Sequence, residues 1–244
     1  MINYLINSSA SLIGGLVLMV ITVLAVRLSR TFSAKRIWRL KKPEELVICI
    51  STSAKTITET YIRFSSGLGQ IRALAILMPS LSQAYRDIDT QRIMMSDDEI
   101  GDRAEQDLII LGGPKNNRIA KEILDMAKNE IPVELLEPAL KWKDASSIEE
   151  FVPLYENDDV STDFGLILRI RNPHNPKKTI VLLAGTHTYG TTAAARYFVT
   201  EMNKIRFLFY GDFVAVVKAR VTDRHVSQPE LVKIAKIRRS RKKA

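Results

Sequence analysis

The sequence predicts an α/β protein, a three-layer Rossmann-like mixed sheet preceded by one N-terminal transmembrane helix. Three observations predict this class. An uncharged aliphatic stretch comes first, and then compact apolar runs of strand length alternate with segments of helical spacing. Polar or glycine-rich loops separate these runs. The apolar runs 164–170 and 180–184 are joined by a turn too short for a crossover helix, so those two strands are antiparallel and the sheet is mixed.

The N-terminal stretch has the composition of a membrane span. No charged residue precedes Arg27, and residues 12–26 are almost wholly aliphatic. With residues 8–11 they approach the ~20 residues that cross a bilayer. A secretory signal would begin with basic residues, which are missing here. The stretch 27–42 carries seven basic residues and no acidic one. The positive-inside rule therefore predicts a single-pass protein of the cell membrane, N-terminus out, with a cytoplasmic domain. The alternative is a buried core helix.

Charge is concentrated in the two flanks of the chain. The formal net charge is +9, and residues 27–42 and 233–244 hold seven basic residues each and no acid. Removing these fourteen charges leaves −5 for residues 43–232. An acidic body without an aromatic-interleaved basic patch predicts no nucleic-acid partner. We expect a transmembrane helix at 1–27, a basic linker at 28–45, the α/β domain at 46–225 and a basic tail at 226–244, either solvated or lying on the membrane.

Polar loops follow the predicted strands of the domain. The strand 46–51 leads into a loop with Ser51, Ser53 and Lys55, although the GxxxxGK[ST] spacing of a P-loop is absent. A second glycine-bearing loop opens a helix predicted over 71–85, with Arg72 in its first turn facing either an anion or solvent. The strands 107–111 and 180–184 each end in a glycine loop that leads into a helix. A further strand is predicted over 212–219.

Loops at the carboxyl ends of strands line the ligand crevice in open α/β sheets. Backbone N–H groups at helix N-termini favour anions there. The sequence therefore predicts one crevice for a nucleotide-like or phosphorylated small molecule. The candidate ligand-binding residues are Ser51, Ser53, Lys55, Gly67, Gly69, Gln70, Arg72, Gly112, Gly113, Lys115, Asn116, Asn117, Gly185, Thr186, His187, Gly190 and Thr191.

Catalytic and metal signals are sparse. His187 is the candidate general acid or base, with Asp163 or Glu122 as its carboxylate; the alternative is a loop histidine bonded to its own backbone. The three histidines lack metal-ligand spacing, and the acidic run 97–105 lacks EF-hand spacing, so no metal site is predicted. The single Cys49 is expected to be a buried strand thiol. No cofactor follows from the sequence, and enzymatic activity stays open.

Three motifs carry a resemblance to known proteins. The runs GLGQIRAL (67–74), LGGPKNN (111–117) and LAGTHTYGT (183–191) resemble an uncharacterised prokaryotic Rossmann-like module over residues 46–220. More loosely, the chain is similar to the nucleotide-recognition domains of bacterial defence and signalling systems, including TIR-like folds. The resemblance implies a Rossmann-like fold and transfers no catalytic role to any residue.

Three functions are consistent with these observations. The first is a membrane-anchored receptor or effector module that binds a phosphorylated ligand. The second is a nucleotide- or NAD-processing hydrolase on the same site. The third is a membrane-tethered protein-interaction adaptor. Gly14 and Gly15 permit close helix packing, so a homo-oligomer is also open.

Overall fold

The computed structural model describes residues 2–57, 60–85, 88–96, 101–136, 138–144, 147–202, 205 and 211–237, with only the backbone described at 2–14 and 102. The helices are α1 (Ile2–Trp38), α2 (Leu68–Ala84), α3 (Arg118–Ala127) and α4 (Thr188–Thr200). The strands are β1 (Val47–Ile50), β2 (Ala54–Ile57), β3 (Ile62–Ser65), β4 (Ile93–Met95), β5 (Leu108–Leu111), β6 (Val133–Leu136), β7 (Ala139–Lys143), β8 (Ile148–Phe151), β9 (Leu154–Glu156), β10 (Asp159–Arg171), β11 (Thr179–Gly185), β12 (Asp212–Thr222), β13 (His225–Val226) and β14 (Glu230–Ile237).

The main sheet is mixed and curled. Its order is β13-β12-β10-β11-β5-β1-β4, with β14 also on β12 and β9 also on β10. β4, β1, β5 and β11 are parallel, whereas β10, β12 and β14 are joined by antiparallel pairings. The antiparallel β10–β11 pair predicted from the short turn is confirmed. β2 and β3 form a separate hairpin, and β6, β7 and β8 form a small antiparallel sheet.

Successive side chains of the central strands point to opposite faces of the sheet, so alternate residues belong to two separate hydrophobic cores. On one face, Ile48, Ile109 and Val181 pack with α2, α4 and the end of α1. On the other, Val47, Leu108 and Leu182 pack with α3, β6 and β7. The mixed α/β class is therefore confirmed. The three-layer Rossmann arrangement is not confirmed, because the sheet is curled and a small antiparallel sheet shares its second face with α3.

The N-terminal helix is long and apolar enough to span a membrane. By length and composition the candidate span is Gly15–Trp38, with a mean hydropathy of 1.7. The most apolar 18-residue stretch of this helix contains no buried residue. Leu16, Leu18 and Met19 are more than half exposed. An exposed aliphatic surface of this size is costly in water, which agrees with a helix surrounded by lipid.

The last turn of α1 is built into the domain. Ala34, Ile37 and Trp38 are buried, and Trp38 packs edge-on against Phe198 of α4 with ring centroids 4.8 Å apart. The indole N–H of Trp38 donates to Ser80 Oγ at 3.1 Å. The helix therefore passes from its apolar span into the core without an intervening loop.

A buried arginine on β10 holds this end of α1. The guanidinium of Arg169 donates to the carbonyl oxygens of Arg36 (3.2 Å), Ile37 (2.6 Å) and Gly211 (2.9 Å). It also stacks on the Phe213 ring, 4.6 Å from the centroid. Helix carbonyls near a C-terminus lack intrahelical donors, so Arg169 caps α1 from the sheet. Burial, followed by the charge of Arg39, lowers the pKa of Arg169 to about 9.

A buried carboxylate fixes the segment after α1. Asp107 accepts hydrogen bonds from the backbone N–H groups of Lys41 (2.9 Å), Lys42 (3.1 Å) and Thr179 (2.7 Å). Lys178 Nζ lies 3.6 Å from the same carboxylate. The chain that leaves α1 is thus tied to the first residues of β5 and β11.

Two segments differ from the predicted domain boundaries. Residues 28–38, expected as a linker, continue α1, because Ala34, Ile37 and Trp38 lie on the face that packs on the domain. Residues 230–237, expected within a basic tail, form β14, because they pair with β12 and the Ile237 side chain is buried. Residues 238–244 and the acidic positions 97–100 lie outside the described residues.

Candidate functional site

A crevice of about 480 Å³ lies at the carboxyl edge of the parallel strands, where the loops after β1, β5 and β11 meet. The first turn of α2 forms another wall. The lining residues are Ser53, Gly67, Gln70, Gly113, Lys115, Asn116, Pro138, Tyr155, Gly185, Thr186, His187, Thr188 and Thr191. None of these described lining residues is acidic, and Lys115 is the cation among them.

The loops after β1 and β5 are held together by hydrogen bonds. The N–H of Thr52 donates to the carbonyl of Asn116 at 3.0 Å, and the buried Ser96 hydroxyl donates to the same oxygen at 3.0 Å. Gly112 has φ +104°, a conformation that L side chains rarely adopt, and a Cβ there would lie 2.7 Å from Ser51 Oγ. The glycine therefore permits both the turn and the close approach of the two loops.

The first turn of α2 carries the buried side-chain amide of Gln70, a residue that lines the crevice. Gly67 is the N-cap, and no side chain of the described residues caps the helix there. Gln70, 9% exposed, lines the crevice, and its Oε1 has no hydrogen-bond partner in the described part of the chain. The buried Ser51 Oγ, beneath Gly112, is likewise without one. Buried polar atoms without partners are costly, and functional sites are where they are tolerated.

Asp163, just before the apolar part of β10, organises the loop between β11 and α4. Its carboxylate accepts hydrogen bonds from the Thr186 hydroxyl (2.6 Å) and from the N–H groups of Phe164 (2.8 Å) and His187 (3.1 Å). The N–H of Gly190, in the first turn of α4, donates a further short hydrogen bond to it. Asp163 thus caps α4 from a neighbouring strand and supplies the negative charge that a helix N-terminus attracts.

The environment of Asp163 opposes its ionisation overall. Burial raises the pKa of Asp163, and the hydrogen bonds from Thr186, Gly190 and Phe164 offset part of the rise. Since this carboxylate already compensates the N-terminus of α4, the positive groups that remain at the crevice wall, among the described residues, are Lys115 and the N-terminus of α2.

His187 lies in the crevice without a carboxylate on its imidazole among the contacts described. Its backbone N–H, rather than its ring, bonds Asp163, and its ring stacks on Tyr189 with centroids 5.9 Å apart. Glu122 pairs instead with His174, at 3.2 Å. Among the contacts described, neither Asp163 nor Glu122 therefore forms a hydrogen bond or ion pair with the His187 imidazole, although Asp163 interacts with it electrostatically.

The structure brings ten of the seventeen candidate residues to the crevice wall: Ser53, Gly67, Gln70, Gly113, Lys115, Asn116, Gly185, Thr186, His187 and Thr191. The other seven have different positions. Ser51 and Gly112 lie against each other, next to Gln70, and are not among the lining residues. Lys55 lies over Phe64 in the β2–β3 hairpin, and Arg72 donates to the carbonyl of Arg224 at 2.8 Å, so neither lines the crevice.

The remaining three candidates have packing and capping roles. The Gly69 N–H donates to Thr188 Oγ1 at 3.0 Å, and Gly190 packs against Phe164 and Gly185. Asn117 accepts from Ala120 N–H at 3.0 Å as the N-cap of α3. Its Oδ1 is also 3.8 Å from the thiol of Cys49, which is buried in β1 as expected.

Sequence reasoning missed four residues of the site. Pro138, Tyr155 and Thr188 line the crevice, and Ser96 ties its loops. Thr188 lies within the LAGTHTYGT run, so its position beside His187 is a local signal for a lining residue. Pro138 and Tyr155 come from the small sheet and β9, far from any glycine loop, and no local pattern marks them. No cluster of three potential metal ligands occurs among the described residues.

Fold and crevice together define a mixed α/β domain joined to an apolar helix, with a candidate ligand site at the carboxyl edge of its sheet. The model of the S-layer like family, outer domain, matches residues 54–202, more than half of the chain. The chain therefore belongs to this family.

One curated relative extends the comparison. The chain is 31% identical over 98 residues to the uncharacterized protein MJ0954 of Methanocaldococcus jannaschii. The match covers 40% of this chain and 17% of the relative, so the chain spans less than a fifth of the relative's length. These matches confirm the resemblance to an uncharacterised prokaryotic domain. They give no support to its Rossmann-like and nucleotide-recognition part.

Proposed function

We propose that the chain is a membrane-anchored module that binds a phosphorylated, hydroxyl-bearing small molecule in the carboxyl-edge crevice. The observation that carries the proposal is the buried, unpartnered Oε1 of Gln70, a residue that lines the crevice together with Lys115, the basic residue among the described lining residues. A ligand hydroxyl would donate to Gln70, and a phosphate would be attracted by Lys115 and the N-terminus of α2.

The size of the crevice is consistent with such a ligand. Its volume of about 480 Å³ lies within the range of small-molecule sites. Thr186, Thr191 and Asn116 provide further polar groups at the wall. A sugar phosphate and a nucleotide both combine a phosphate with hydroxyl donors, so the test includes both classes.

A thermal-shift experiment on the full chain in detergent tests the proposal, with ribose 5-phosphate, AMP and inorganic phosphate as probes. A ligand present at 100 times its Kd stabilises the folded state by about 2.7 kcal/mol. Gln70→Leu and Lys115→Gln should each reduce the shift. Lys121→Gln, on the exposed side of α3, is the matched control and should retain it. Absence of any shift across the panel would contradict the proposal.

A second candidate function is an interaction module, and the family description favours it by referring to an S-layer and an outer domain. The β2–β3 hairpin adds a physical reason, because its Ile57 and Ile62 are 80% and 55% exposed. Replacing both with Thr should abolish assembly of the purified chain if the hairpin mediates it. Assembly that is unchanged in this variant and lost on mutating Lys115 would count against the hairpin.

The hydrolase alternative depends on His187, which lines the crevice. His187→Ala should abolish turnover of a nucleotide substrate while the ligand-induced thermal shift persists. Turnover that persists in the variant would remove His187 from the mechanism.

For membrane topology we propose an N-terminus outside and a cytoplasmic domain, on the strength of the seven basic residues at 27–42. The family description points to the opposite side. Because Cys49 is buried, an exposed cysteine introduced by Lys128→Cys can be labelled selectively. Labelling by an impermeant maleimide only after lysis is expected, and labelling of intact cells would reverse the topology.

A further inference from the structure

A basic groove lies where α1 meets the carboxyl end of α2. Its volume is about 990 Å³, and it is distinct from the crevice at the opposite edge of the sheet. The lining residues are Leu24, Arg27, Leu28, Arg30, Thr31, Lys35, Pro43, Ser82, Gln83, Ala84 and Tyr85.

The α1 side of the groove is one helical stripe. Leu24, Leu28, Thr31 and Lys35 follow one another at spacings of three or four residues, which places them on the same face of the helix. Leu24 and Leu28 come first on this face, and Lys35 lies nearest the domain. Arg27 and Arg30 lie beside the stripe, with Arg27 directly before Leu28. From Arg27 to Lys35 the rise is about 12 Å. The stripe thus changes from apolar to basic along the direction in which a bilayer changes from hydrocarbon to headgroup.

The α2 side is polar and firmly placed. Ser82 and Gln83 are exposed, whereas Tyr85 is buried and its hydroxyl accepts from Leu40 N–H at 3.1 Å. Lys35 Nζ lies over the Tyr85 ring, 5.8 Å from the centroid. The carboxyl end of α2 carries partial negative charge, so an anion is expected on the α1 side, near Arg27 and Arg30.

We infer that this groove binds the phosphate headgroup of an anionic membrane lipid, with its acyl chains along Leu24 and Leu28. Arg27, Arg30 and Lys35 supply the charge complementarity, and the groove is continuous with the apolar surface of α1. Of the described residues that line it, none is acidic. The inference rests on α1 lying in a bilayer and is independent of any ligand in the crevice.

Native mass spectrometry of the full chain, released from nanodiscs of equal phosphatidylglycerol and phosphatidylcholine, tests the inference. One retained phosphatidylglycerol is expected, at roughly tenfold preference, which corresponds to about 1.4 kcal/mol. The triple variant Arg27→Gln, Arg30→Gln, Lys35→Gln should lose that preference. The charge-matched control Arg118→Gln, Lys121→Gln, Lys128→Gln, on α3 and at its C-cap, should keep it.

Three outcomes would overturn the inference. They are equal retention of the two lipids by the wild type, undiminished preference in the triple variant, and displacement of the lipid by millimolar inorganic phosphate. Recovery of each variant in the nanodisc fraction shows that α1 is inserted, so loss of preference is separated from loss of the membrane anchor. Circular dichroism of the same samples shows that the domain is folded.

Discussion

Replacing Arg169 by Met should loosen the end of α1 from the domain. The methionine keeps much of the side-chain length against Phe213 but removes the donors to the carbonyl oxygens of Arg36, Ile37 and Gly211. A buried acceptor left unpaired costs ~1–3 kcal/mol. Relief from burying a charge offsets part of this, so we expect a net loss of roughly 2–4 kcal/mol.

Thermal unfolding of the full chain in detergent measures this loss. For a chain of this size, 1 kcal/mol corresponds to roughly 2–4 °C in Tm, so a fall of ~4–16 °C is expected. Trp38 is buried beside the capped turn and reports undocking of α1 by fluorescence, with Trp142→Phe as the background. Arg171→Met, two residues along the same strand and exposed, is the control. A shift below about 1 °C for Arg169→Met, or equal shifts for both variants, would refute the capping role.

Three further predictions concern stability. Asp163→Asn places an amide N–H donor against backbone N–H groups that donate hydrogen bonds to the carboxylate. We therefore expect the free energy of unfolding, measured by chemical denaturation, to fall by ~2 kcal/mol or more. Because the folded-state pKa of Asp163 is raised, the stability of the wild type should fall as pH rises from the unfolded-state pKa of Asp163 to its folded-state pKa. The same dependence of stability on pH in Asp163→Asn would contradict this. Burial raises the pKa of Tyr85 to about 12. Wild-type stability should therefore fall from about pH 10 to 12 by up to ~3 kcal/mol more than that of Tyr85→Phe, and parallel profiles would argue against it. In Gly69→Ala the new Cβ would lie 2.0 Å from the backbone oxygen of Thr188, so α2 and α4 must separate, and we expect a loss of ~1–3 kcal/mol in stability. Ala75→Ser, exposed on α2, is the control. An unchanged Tm in Gly69→Ala would show that the two helices are not closely packed at this point.

The strands of the parallel half were predictable because they are buried on both faces. β1, β5 and β11 appear as uninterrupted apolar runs, and polar loops mark their carboxyl ends. The topology rule that places such ends at one edge then brings the loops together. Ten of the candidate residues reach the crevice for this reason.

The other features depend on contacts between distant segments. Arg72 follows a glycine loop, as a ligand-binding arginine would. Its hydrogen-bond acceptor is nevertheless the carbonyl of Arg224 in the β12–β13 turn, 152 residues along the chain. Arg169 is a buried cation in the apolar part of β10, and its acceptors are carbonyl oxygens at the end of α1 and at Gly211. β14 is rich in lysine and looks like a tail until its pairing with β12 is known. Local pattern does not encode these partners.

The proposed ligand of the crevice, a phosphorylated small molecule, can be detected directly by mass spectrometry of compounds that copurify with the full chain. We expect a phosphorylated compound to be enriched with the wild type and with Lys121→Gln. It should be depleted in the double variant Gln70→Leu, Lys115→Gln. Absence of any phosphorylated compound from the wild type, or equal amounts in the wild type and the double variant, would contradict the account.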